Sequence, residues 1–200
     1  MMVQKGLEAA WHRLRELEPA LACRNARAEF EGGYYLIESL GMRFSVAPEA
    51  CTIEGIGEEA KHLSERHSEF LGLCLVNYLA GAMDIPQSGR LIKPESLKGG
   101  HHFFKTTHAL PLAPIASRYD GDDGGFINKG VSLGGRAITG MGDAAVEIRP
   151  LPRIPLTIIL WFGDEEFPPR ADLLFDSSAE FHLALDILWS AAMLGCLAMQ

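Results

Sequence analysis

Three of the chain's seven histidines fall within eight residues, in the run Gly99-Gly100-His101-His102-Phe103-Phe104-Lys105-Thr106-Thr107-His108. Imidazole is the commonest side-chain ligand of transition metals and also binds haem or corrinoid metal axially. The glycine pair loosens the start of the segment, and Phe103 and Phe104 offer apolar anchors. With those anchors buried, one of His101, His102 and His108 is expected to face a pocket and hold a metal, haem or corrinoid cofactor. The spacing matches no standard zinc motif, because there is neither HExxH nor a companion CxxC. The competing reading is a loop with solvated histidines above two core phenylalanines.

Asp164-Glu165-Glu166 is the second cluster. It offers hard oxygen ligands, or a general base at the end of a strand, with Asp176 as a nearby third carboxylate. The competing reading is a solvated turn whose carboxylates cap backbone N–H groups. A combined metal site would join His102 or His108 to Asp164 or Glu165, which requires the Gly-rich stretch to fold over the end of the preceding strand. His67 and His182 sit in helical patterns and read as hydrogen-bonded core histidines.

Other motifs fail on context. Gly140-Met141-Gly142-Asp143-Ala144-Ala145 has the letters GxGxxA but precedes a strand, where a dinucleotide loop joins strand to helix. Residues 120–131 resemble a calcium loop, but Gly124 and Val131 occupy ligand positions and a tight turn is expected. There is no phosphate loop, no Gly-x-Ser-x-Gly and no recognisable cysteine nucleophile.

The elements that must position these residues centre on 154–176. Ile158, Ile159, Leu160, Trp161 and Phe162 form a run suited to a strand buried on both faces. Pro168 and Pro169 stiffen the acidic connection, and Leu173 to Phe175 read as a second strand. Upstream, helical spacing predicts a first helix ending at Pro19 and a second over 58–82. Between them, Gly32-Gly33 and Gly41 punctuate a small antiparallel meander. Residues 99–142 hold 10 of the 21 glycines. Helices are expected over 109–119 and 126–138, and a strand over 144–148. The last helix is expected to start at Ser177 or Ser178, with Ser177 and Glu180 at capping-box spacing. The predicted fold is a single α+β domain over 1–200. Its mainly antiparallel sheet, including 34–46, 144–148, 156–162 and 172–175, packs against long helices of the N-terminal half and the C-terminus.

Composition excludes some functions. A net charge of −8 and no basic run argue against a nucleic-acid or anionic-membrane surface. The apolar tail 187–199 is 13 residues without a charge, a core helix and too short to span a bilayer. Residues 1–18 carry charges throughout, so no signal peptide is read there and a cytoplasmic location is expected. Cys23, Cys51, Cys74 and Cys196 are scattered and read as reduced thiols.

GGHHFFKTTHALPLAPIASRY, LGG and MGDAAVEIRPLPRIPLTIILWFGDEEFPPRADLLFD together resemble the family called domain of unknown function 3786, most strongly over 97–188. The resemblance implies a home in strict anaerobes. It also implies company with an iron–sulfur or corrinoid protein partner, since some members resemble fusions to an iron–sulfur domain like that of corrinoid iron–sulfur proteins. Without clustered cysteines, this chain holds no such cluster alone. The resemblance transfers no catalytic residue. Two functions are therefore expected to compete. One is a binding or accessory module that holds a metal, tetrapyrrole or corrinoid cofactor, or a redox partner, through 99–108. The other is a small metal-assisted hydrolase using a His with Asp164 or Glu165.

Overall fold

The computed structural model describes residues 2–104 and 108–200, with side chains from residue 6 onward. Helix α1 (Met2–Glu16) buries Ala10, Trp11 and Leu14. Pro19 ends that pattern as expected, but it also opens α2 (Pro19–Ala26). Proline at the first helical position loses no bond, and the Glu18 carboxylate accepts from the N–H groups of Ala20 and Leu21 at 3.2 and 3.0 Å.

The meander follows as β1 (Glu29–Glu31), β2 (Tyr34–Ser39), β3 (Met42–Ala47) and β4 (Thr52–Ile56), paired in that order. Gly32 and Gly33 have φ of 60° and 88°, the positive values a two-residue hairpin turn needs. Helix α3 (Glu58–Gly81) then runs 24 residues, with non-helical backbone at His67 (φ −133°, ψ 32°). Before this kink α3 buries Ala60 and Leu63; after it, every residue from Leu71 to Leu79 is buried.

A second sheet contains β5 (Leu91–Ile92), β6 (Arg136–Ile138), β7 (Ala144–Leu151), β8 (Ile154–Trp161) and β9 (Arg170–Asp176), in the order β5-β9-β8-β7-β6. All described pairings are antiparallel. β8 is the central strand and buries seven of its eight residues, as its apolar run predicts. The strands expected in one sheet are thus divided between two. Those of the meander close on one another through turns of two or four residues, while α3 carries the chain away before the second sheet begins. The sheets meet where the Leu40 N–H donates to Arg149 O at 2.8 Å and where Gly41 presses on Gly134.

The 3-10 turn Pro94–Ser96 leads to α4 (Gly100–Phe103), α5 (Leu112–Arg118) and α6 (Asp123–Ser132). The helix expected over 126–138 stops at Ser132, because Gly134 turns to φ 69° against Gly41 and Arg136–Ile138 pairs with β7. The calcium-like loop is a helix cap, with Asp122 accepting from the Gly125 N–H at 2.8 Å. The last helix is also split, into α7 (Ala179–His182) and α8 (Leu185–Met199). The Ser177 hydroxyl lies 2.9 Å from that of Ser88, and Glu180 accepts from the Lys98 N–H, so no capping box forms. Two buried ionic groups tie loops to this frame. The Arg153 guanidinium donates to the carbonyls of Arg24, Asn25 and Ile85 and pairs with Asp84. Asp176 anchors Ser88, Gly89 and Ser178. Among the described residues no helix is long and apolar enough to cross a membrane.

Candidate functional site

Local backbone demands shape the His-rich segment first. Gly99 adopts φ 80°, and a Cβ on Gly100 would stand 2.1 Å from Pro94 O. The glycine pair therefore lets α4 fold back tightly on the 3-10 turn. His101 and His102 are exposed on α4, with ring centroids 5.3 Å apart and planes at 87°. Phe104 is buried, as an anchor should be. Lys105, Thr106 and Thr107 lie outside the described residues.

His108 returns to the body of the protein through a ladder of rings. Phe104 contacts Phe103 at 5.4 Å, and Phe103 stacks on His108 at 3.9 Å with planes 12° apart. His108 meets Trp189 of α8 edge-on at 5.0 Å, and Trp189 meets Phe70 of α3 at 5.7 Å. Aromatic pairs in such geometries contribute roughly 0.5–1.5 kcal/mol each beyond area burial. Among the described residues the buried Trp189 Nε1 finds no hydrogen-bond partner, which leaves a polar donor unsatisfied on the ring that meets His108.

The acidic turn is built differently. Asp164 Oδ1 accepts from the N–H groups of Glu166 and Phe167 at 2.8 and 2.7 Å, and the Asp164 N–H donates to Phe167 O. Those bonds, from Glu166 and then Phe167, hold its carboxyl below the usual carboxylate range although it is exposed. Glu165 and Glu166 are exposed. Asp143 accepts from the Phe162 N–H at 2.8 Å and Asp120 from the Gly163 N–H at 2.9 Å. Three aspartates thus tie down the end of β8. Asp176 is not near them: it ends β9, about 20 Å along the strand from Arg170.

His108 and the acidic turn lie toward opposite ends of α5. Leu110, before that helix, lines a cavity together with Asp172 and Leu173 of β9; Asp120, after it, reaches Gly163. The helix is about 10 Å long. Among the described residues, no group of three or more His, Cys, Asp or Glu is placed to hold a metal ion.

His182 is the core histidine expected. It is buried, its Nδ1 accepts from the Met83 N–H at 3.3 Å, and burial, then Arg153, push its pKa down. His67 is half-buried at the kink of α3, its pKa lowered by burial, then by Arg66 and His62. Trp189, which meets His108, and Phe70 behind it are functional neighbours that no sequence motif marks. Helical spacing reveals that such residues face inward, but not which loop they meet.

A family model described as "Domain of unknown function (DUF3786)" matches residues 18–198, so the resemblance read in the sequence extends over nearly the whole chain. No curated protein and no solved structure matches it.

Proposed function

This chain belongs to the DUF3786 family, and we propose that it is a binding module that offers imidazole from segment 99–108 to a metal centre completed by another component. That component is a haem, a corrinoid, or an iron–sulfur or corrinoid redox protein. The setting of this proposal is the cytoplasm, where the four free cysteines stay reduced.

The observation that supports this reading is the ring ladder through His108. Stacking on one face and an edge contact on another fix the imidazole plane, and a donor held in place loses little freedom on binding. The residues present do not fit a metal enclosed by this chain alone, since the described residues hold no three-donor group. One or two imidazoles fit a macrocycle or partner that brings the remaining ligands. The hydrolase reading draws less support, because the bonds of Asp164 are spent on its own turn.

The test titrates protein purified without oxygen with haem, cobalamin and zinc, following visible spectra and bound metal. A shifted band or stoichiometric metal is expected, lost in at least one of His101→Ala, His102→Ala and His108→Ala while circular dichroism is unchanged. Binding that survives in all three variants, or no binding by the wild type, would refute the proposal.

A further inference from the structure

A cleft of about 640 Å³ opens between the first half of α3, the end of α6, the end of α8 and the β2–β3 turn. That volume lies within the range of small-molecule sites, roughly 300–1,000 Å³. Its polar lining is uneven in charge. Arg66, Lys129, His62 and His67 line it, with Glu59 as the carboxylate and Ser132 as a hydroxyl. Leu63 and Leu133, both buried, and Leu197 supply apolar wall.

Arg66 and Lys129, with two imidazoles beside them, make this cleft a basic spot on a molecule whose net charge is −8. Among the described residues, neither Arg66 nor Lys129, His62 or His67 forms an ion pair or a side-chain hydrogen bond. The groups are close enough to act on one another. Burial and then Arg118 and Arg66 lower the pKa of Lys129, while burial and then Arg66 and His62 lower that of His67. The kink is part of the arrangement, because the backbone leaves helical geometry at His67, beside Arg66. Arg66 and Lys129 repel one another across a lining with one acidic side chain, Glu59, and an anion in the cleft relieves that repulsion.

We propose that this cleft binds a small organic anion, with its oxyanion group, carboxylate or phosphate, facing Arg66, His67 and Lys129 and its apolar body along Leu63, Leu133 and Leu197. This site is separate from the His-rich segment and does not depend on the proposal made for that segment.

The probes are phenyl phosphate and benzoate, with benzyl alcohol as the neutral control, each titrated calorimetrically into the full chain. At least one anion is expected to bind saturably while the alcohol does not, and the preferred anion identifies the oxyanion. Arg66→Gln and Lys129→Gln should each weaken binding about tenfold, as loss of one charge-assisted contact does. His101→Ala should leave it unchanged. Without probe, the same Gln variants should melt at or above the wild-type temperature, since each removes a repulsion. Absence of saturable anion binding, or anion binding indifferent to both substitutions, overturns the proposal. So does a lower melting temperature with unaltered anion binding, which would assign the cations to balancing the carbonyl ends of α6 and α8.

Discussion

Asp176 gives the sharpest pH prediction. Its Oδ1 accepts from the Ser88 N–H at 3.0 Å, the Ser88 hydroxyl at 2.8 Å, the Ser178 N–H at 2.9 Å and the Ser178 hydroxyl at 2.6 Å. Its Oδ2 accepts from the Gly89 N–H at 2.7 Å. Burial alone would raise this carboxyl, but the bonds from Ser178 and Ser88 outweigh burial and bring it from 3.8 down to about 2. A depressed carboxylate adds stability that is fully present above its unfolded value and is lost as pH falls from 3.8 toward 2. The full shift corresponds to about 2.5 kcal/mol, and solvent screening beside the loop reduces this to about 1–2 kcal/mol. Asp176→Asn removes the charge and sets an amide N–H₂ against a donor, at an expected cost of about 2–4 kcal/mol at pH 7. Urea unfolding of both proteins at pH 7, 5, 4 and 3 measures this. The gap should be constant down to pH 5 and narrow by about 1 kcal/mol at pH 3. Parallel stability curves through pH 3 would show that the five contacts do not bind the ionised form preferentially.

Two further perturbations probe the same frame. Arg153→Met leaves the carbonyls of Arg24, Asn25 and Ile85 and the Asp84 carboxylate without their donor, and should lower stability by about 3–5 kcal/mol in urea unfolding. A shift below about 1 kcal/mol would make the guanidinium dispensable to the fold. The cysteines should react in order of access. Cys51 is exposed, whereas burial pushes the Cys196 thiol up to about 12 and the Cys74 thiol higher still. With an aromatic disulfide reagent, Cys51 should label in the native state, and Cys74 and Cys196 only on unfolding.

Much of the fold was legible because it is written in local patterns. The unbroken apolar run of β8 announced a central strand, and Gly32-Gly33 and Gly41 announced the meander turns. The errors came where tertiary partners took over local signals. Ser177 and Glu180 were claimed by Ser88 and Lys98, so the expected cap became a broken helix. The pattern through 126–138 was cut by the approach of Gly134 to Gly41, 93 positions earlier in the chain. No local window contains that contact. Pro19, read as an end, was also a beginning, because Glu18 could cap what followed.

The candidate sites show the same division. The His-rich run is visible as letters, but Trp189 and Phe70, which bracket His108 or extend its ladder, lie on two helices more than 100 positions apart. The cationic cleft was less legible still. Its His62, Arg66 and His67 fall on one helix with no motif, and Lys129 joins them only through the packing of α6. One helix serves both places: Phe70 supports the aromatic ladder a turn away from Arg66 and His67, which face the cleft. Because the backbone departs from helical geometry at His67, between those two sets of contacts, straightening α3 would alter how both are presented. A ligand in the cleft and a partner at His108 would then be coupled through the angle of α3. Titrating haem or cobalamin with and without saturating phenyl phosphate measures that coupling as a ratio of affinities. A ratio of one would leave the two sites independent, with the kink serving only to shape the cleft.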